Sequence, residues 1–131
     1  MTPDNPTPTE IALEFLDAIN RGDLGALLHL MSPNHRFEVF DDRLVIGREA
    51  NASAWRTYLT EHPRYTVHPQ RTVASGNVVA ILGSTTGSHL GLPDAEESRL
   101  TLIWIIHIQG SSVEQFRLLE DLPSTRARYG L

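Results

Sequence analysis

Apolar positions in the first third of the chain recur every three to four residues. Ile11, Phe15 and Ile19 repeat at intervals of four, and Ala12 and Leu16 widen the stripe, which predicts an amphipathic helix. Its start is marked by Thr7-Pro8-Thr9-Glu10, a capping box with proline at the first helical position, where the missing N–H costs nothing. Gly22 supplies a left-handed C-terminal cap and Asp23 can cap a second helix. That helix carries Leu24, Leu27, Leu28 and Met31 on one face and is stopped by Pro33. Helices joined this tightly lie nearly antiparallel over one shared apolar surface.

A strand follows, and a third helix is entered through Gly47 and ended by Pro63. Beyond it the period changes from 3.6 to 2, predicting strands over 65–74, 78–86, 99–108 and 113–122. Pro69 has no N–H to give a ladder, so the first of these is an edge strand or carries a bulge. Helices first and then a run of antiparallel strands make the fold class α+β. Within LTLIWIIHI, Leu102, Trp104 and Ile106 point one way and Ile103 and Ile105 the other, so both faces of this strand must be covered. One helical layer covers one face. A second copy of the chain is the expected cover for the other, with a sheet curved strongly enough to close both sides within the monomer as the alternative.

At 131 residues the chain suits a single domain burying roughly two-thirds of its unfolded surface. Residues 1–8 read as a disordered lead and 9–131 as the domain. With a net charge of -5 and its Arg residues scattered, the chain has no basic stripe to displace counterions, so nucleic acid is not an expected partner. Arg126 and Arg128 read as solvated residues of a short tail. There is no cysteine, which removes disulfides and thiolate chemistry. The start MTPDNPTPTE lacks a basic, then apolar, signal segment, and the longest apolar run, LIWII, is far short of the ~20 residues a membrane helix needs. A cytoplasmic protein without membrane contact is the expectation. Asn51-Ala52-Ser53 fits a glycosylation sequon but falls inside the third predicted helix.

AINRGDLGALLHLMSPN resembles the opening of the nuclear transport factor 2-like (NTF2-like) superfamily: a helix, a Gly-Asp turn, a second helix and a strand. The resemblance continues in IGREANASAWRTYL, LGSTTGSHLGLP and VEQFRLLED, and Asp121 with the terminal Gly130-Leu131 is similar to the SnoaL-like polyketide-cyclase branch. It implies a cone: N-terminal helices packed on a strongly curved antiparallel sheet around a cavity for small molecules, with homodimers formed through the sheet. Such cavities are largely apolar with a few inward polar groups.

On the last predicted strand Gln115, Arg117, Leu119 and Asp121 share one face and Phe116, Leu118 and Glu120 the other. The resemblance puts Asp121 at the pocket as acid or base, where apolar walls would raise its pKa, and Arg117 beside it. An ordinary solvated strand face is the plain reading of the same residues. Glu38, nine residues before Gly47, matches the proton-abstracting carboxylate of the ketosteroid-isomerase branch, with Asp41 as a competing match. That branch's two oxyanion donors correspond here to Phe15 and Trp104, which lack acidic hydroxyls, and a lost donor costs on the order of a hundredfold in rate. Limonene-type epoxide hydrolases use Arg-x-Asp where Arg99-Leu100-Thr101 stands. Phe15, Trp55, Trp104 and Leu119 are the expected ligand contacts.

None of the six histidines forms H-x-H or H-x-x-x-H, so no metal site is expected. His107, inside the apolar strand, is a candidate pocket acid or base or a satisfied structural residue; His62 reads as a helix end, and His29, His35, His68 and His89 carry no signal. GSTTGSHLG lacks a P-loop lysine and reads as a bent strand passing close to other backbone. No nucleotide or cofactor motif appears. Two functions stay open: cofactor-independent acid–base catalysis of the cyclase, isomerase or dehydratase kind through Asp121, Arg117, His107 and Glu38, or a non-catalytic ligand-binding or dimerisation module.

Overall fold

The structure is a computed structural model that describes residues 6–131, so the first five residues of the expected lead lie outside the described residues. Helix α1 (Pro8–Arg21) begins at Pro8, with the Thr7 hydroxyl accepting from the Glu10 N–H at 3.2 Å, and ends on Gly22 at φ 63°. Asp23 caps α2 (Leu24–Leu30) through the Ala26 N–H at 3.0 Å. Met31 departs from its predicted helical place: it is already extended and opens β1 (Met31–Val39). Pro33 therefore sits inside a strand, where the ladder is irregular between Met31 and Arg36 because proline has no N–H to contribute.

After β2 (Arg43–Ile46) comes α3 (Arg48–Glu61), then β3 (Thr66–Ser75), β4 (Val78–Thr86), the single turn α4 (Asp94–Glu97), β5 (Leu102–Gln109), β6 (Ser112–Glu120) and α5 (Pro123–Tyr129). The six strands form one sheet in the order β2-β1-β6-β5-β4-β3. The expected all-antiparallel sheet is corrected at one place. β1 and β6 run parallel, because both enter the sheet from the same end, and the other neighbours are antiparallel. β3 is an edge strand and its register shifts between Pro69 and Arg71, so Pro69 meets both of its expected allowances. Gly83 lies where β3 crosses β4, and a Cβ there would stand 2.4 Å from the His68 carbonyl oxygen; the glycine-rich run does pass against other backbone.

The inner face of the sheet meets α1, α2 and α3. Phe15, Leu16, Ile81, Trp104, Ile106 and Phe116 form the centre of that core. Phe15 and Trp104, expected as ligand contacts, are packed solid within it, at 0 % and 1 % exposure. His35 ties β1 to β6 by donating from Nδ1 to the Val113 carbonyl at 2.7 Å. Asn51, of the glycosylation sequon, is buried and donates to the carbonyls of His35, Val45 and Gly47.

The outer face carries Ala80, Leu82, Ile103 and Ile105, and the cover comes from the chain's own C-terminus. Tyr129 and Leu131 pack on this patch, and Arg71 donates to the Leu131 carbonyl at 3.1 Å. Ile103 and Ile105 are 0 % exposed within one chain, so they no longer argue for a second copy. Arg126 and Arg128, expected as solvated residues of a short tail, belong to α5, the helix that brings this cover onto the sheet. No helix among the described residues is long and apolar enough to cross a membrane.

Candidate functional site

The ends of β1, β4 and β6 and the starts of β2 and β5 converge on one side of the sheet, and α3 ends there too. Between them lies a cavity of about 430 Å³. Its floor and walls are aromatic. On α3, Trp55 and Tyr58 stand three residues apart and so share one face, and both turn to the cavity. Phe37 of β1 stacks on Trp55 with ring centroids 5.4 Å apart and planes 7° from parallel. Tyr65, just before β3, stands edge-on to Tyr58 at 5.0 Å and 87°. Phe40, at the tip of the β1–β2 hairpin, borders the mouth with φ 54°, the left-handed region a bulky residue rarely adopts. A second, more open depression of about 330 Å³ beside the α1–α2 turn is lined by Ile19, Leu24, Arg56, Leu59, Thr60 and Pro63.

Polar groups gather at the mouth. The Tyr58 hydroxyl lies 2.9 Å from His89 Nδ1 and also accepts the His89 backbone N–H at 3.2 Å. The shared proton sits on the phenol or on Nδ1 according to the imidazole tautomer. Burial raises the Tyr58 pKa, the bond from the His89 backbone N–H opposes this, and the negative charge of Glu97 adds to the rise. Tyr65 is raised more strongly, by burial and then by Tyr58 and Glu97. Both phenols therefore keep their protons near neutral pH. Glu97, on α4, is buried; its carboxylate accepts from Thr85 Oγ1 and, at 3.3 Å, from the Ser88 N–H, and both donors line the cavity.

The residues singled out from sequence lie elsewhere, Trp55 apart. Phe37 and Val39 face the cavity, so strand alternation turns Glu38 to the outer face, and Asp41 is exposed in the hairpin turn while its neighbour Asp42 reaches the mouth. On β6 the face that turns inward is that of Phe116 and Leu118; Leu119 packs on the outer patch, as Tyr129 does. Period 2 groups the residues of a strand but does not say which group faces in. Glu38, Arg117 and Gln115 do come together: Arg117 Nε donates to Glu38 Oε2 at 3.1 Å and Gln115 Nε2 to Oε1 at 2.8 Å. His107 stands opposite Gln115 on the same outer face, its pKa lowered by burial and then by the Arg117 charge.

Asp121 lies just beyond β6. Arg126 of α5 grips it through Nε to Oδ1 at 2.6 Å and Nη2 to Oδ2 at 2.7 Å, and Thr101 Oγ1 donates to Oδ2. The Arg126 bonds first, and the Thr101 bond second, hold its pKa down to about 2, the reverse of the expected rise. Burial does push this carboxyl up, as expected, but the Arg126 and Thr101 bonds outweigh it, and that arginine stands on α5, which the periodicity of the chain does not predict.

Sequence reasoning missed Tyr58, Tyr65, His89 and Glu97. Trp55-x-x-Tyr58 on one helical face was a readable signal. His89 and Glu97 had none, because only the course of the 87–93 loop brings them to α3. Among the described residues no group of histidines, aspartates and glutamates is placed to hold a metal ion.

None of the curated protein sequences matches the chain. Among solved structures, an uncharacterised cystatin-fold protein from Novosphingobium aromaticivorans superposes with a TM-score of 0.76 at 14% identity, covering 88% of this chain and 99% of its own. A protein of ketosteroid isomerase-like fold from Catenulispora acidiphila, solved in complex with trimethylamine, gives 0.71 at 18% identity, covering 95% of each chain. SalBIII, an epoxide hydrolase/cyclase-like enzyme of pyran-ring formation in the polyether salinomycin, gives 0.70 at 18% identity, covering 88% of this chain and 91% of its own. At these identities the likeness is one of fold. The family model for the SnoaL-like domain matches residues 12–115, a stretch that holds the whole aromatic wall and stops short of Asp121. By that match and by its mixed sheet and helices, the chain belongs to the SnoaL-like domain family, with the fold of the NTF2-like proteins.

Proposed function

We propose that this protein binds a small, largely apolar ring compound in the α3 cavity and moves a proton at its polar end, in chemistry of the dehydration, isomerisation or cyclisation kind. The observation that carries this reading is the Tyr58–His89 hydrogen bond of 2.9 Å at the mouth of an aromatic cavity. A phenol kept protonated by burial is a hydrogen-bond donor and general acid, and the imidazole beside it can accept a proton and return one. In a dehydration, Tyr58 gives its proton to a leaving hydroxyl, the C–O bond breaks, and His89 takes the proton from the neighbouring carbon as the double bond forms. The proton then passes back along the Tyr58–His89 bond, so the pair ends as it began and water is the only by-product. A homodimer through the outer sheet face would seat on its polar half, beside the exposed Leu44 and Ile46, since Tyr129 and Leu131 occupy the apolar half.

Calorimetric titration with 2-tetralone tests binding, and dehydration of 4-hydroxy-4-phenylbutan-2-one to its conjugated enone, followed by absorbance, tests chemistry. The protein should bind the first probe, lose that binding as Trp55→Ala, and lose about a hundredfold in turnover of the second as Tyr58→Phe or His89→Ala. Turnover unchanged in both variants would leave a binding module without catalysis; no binding of either probe would overturn the cavity assignment.

A further inference from the structure

The charge at the inner end of the cavity mouth has a definite sign, and the proton-transfer reading above does not use it. Resting on that reading's assignment of the cavity as the ligand site, we propose that the ligand carries, besides the group on which the proton moves, a cation, an alkylammonium group seated among Trp55, Tyr58 and Tyr65 with the Glu97 carboxylate behind them. Three observations converge on this.

The first is the shape of the walls. Trp55 and Tyr58 meet at 85° with centroids 6.3 Å apart, and Tyr58 and Tyr65 at 87° and 5.0 Å. These are edge-to-face packing contacts, with Phe37 stacked on Trp55 beside them, and Phe37, Trp55, Tyr58 and Tyr65 all line the cavity. Aromatic faces carry partial negative charge and attract cations, most strongly where water is excluded.

The second is the buried carboxylate. Glu97 is 1 % exposed, and its two oxygens are met by a hydroxyl and a backbone N–H, not by an arginine. Among the described residues it takes part in no ion pair. A carboxylate withdrawn from water without a cation is costly, and bringing a cation to the next layer recovers part of that cost. Thr85 and Ser88, its two donors, are themselves cavity wall, so the carboxylate lies one layer behind the surface a ligand would touch.

The third is the direction of the field. Burial first, and the Glu97 charge last, make ionisation of Tyr58 and of Tyr65 harder, so the sign of the Glu97 contribution at both phenols is against negative charge. A ligand carboxylate at the same place meets the same opposition, and an ammonium group meets attraction. At the rim Asp42 and Arg43 are adjacent and of opposite sign, so they leave this preference in place.

The test is calorimetric, with three probes of nearly one shape: benzyltrimethylammonium, its uncharged isostere neopentylbenzene, and 3-phenylpropanoate. The cation should bind at least tenfold more tightly than the isostere, the anion most weakly, and Glu97→Gln should erase the preference while leaving the affinity for neopentylbenzene unchanged. Tyr65→Leu, which removes one wall, should cut the preference as well, and serves should Glu97→Gln fail to fold. Equal affinity for cation and isostere in the unaltered protein would overturn the charge preference and leave the cavity assignment standing. Binding of none of the three would overturn both.

Discussion

Replacing Asp121 with asparagine should loosen the C-terminal helix and leave the cavity alone. Asp121 is the anchor of α5: its two oxygens hold Arg126 in a bidentate pair, and α5 in turn lays Tyr129 and Leu131 over Ile103 and Ile105. The carboxyl pKa falls from 3.8 to about 2 in the folded protein. At ~1.4 kcal/mol per unit this sets an upper bound of about 2.5 kcal/mol. Although the Asp121 side chain is 11% exposed, that of Arg126 is 41% exposed, and solvent screening reduces the contribution to about 1 kcal/mol. For a chain of this size that is a fall in Tm of roughly 3–5 °C. The pH dependence carries a sign. A folded pKa below the unfolded value means stabilisation present above about pH 4 and lost as the pH falls toward 2. Thermal melts by circular dichroism should therefore show Asp121→Asn less stable at neutral pH, with the gap to the unaltered protein closing in acid. Identical melts at pH 7, or an Asp121 carboxyl resonance titrating above about pH 5, would refute the clamp.

Gly83→Ala should destabilise by about 2 kcal/mol or more, read in chemical denaturation, because the new Cβ would stand 2.4 Å from a backbone oxygen of β3 that cannot rotate away. Ending the chain at Leu122 should bare Ala80, Leu82, Ile103 and Ile105 and cause self-association, visible in size-exclusion chromatography. Glu38→Gln should leave 2-tetralone affinity unchanged, since Glu38 bonds Arg117 and Gln115 on the opposite face from the cavity. Burial lowers the pKa of His35 below 6.5, against the opposing Val113 bond, so the protein should lose stability as pH falls below about 6.5, and its imidazole should remain neutral there by NMR.

The elements whose signals are local were legible along the chain. The Thr7–Glu10 box, the Gly22-Asp23 turn, Gly47 and Pro63 bound three helices, and Pro69 marked an edge strand, because caps and proline act through the backbone within a few residues. The sequence also paired the faces of β5 correctly, with Trp104 on one side and Ile103 and Ile105 on the other. Which face of β6 and of β1 looks inward was settled by packing. A period of two is symmetric, and the choice falls to the layer that packs against the strand: Phe116 fills the space against Phe15 and Trp55, which turns Arg117 and Glu38 outward. The fate of Asp121 and the assembly of Tyr58, His89 and Glu97 were likewise undetermined by local pattern. In the first case a short helix, with its first turn started by Pro123 and little apolar periodicity, swings Arg126 back onto the carboxylate; in the second a loop carries His89 onto a helix thirty-one residues earlier. Contacts of that range depend on where the sheet places its ends, which no window of neighbouring residues records.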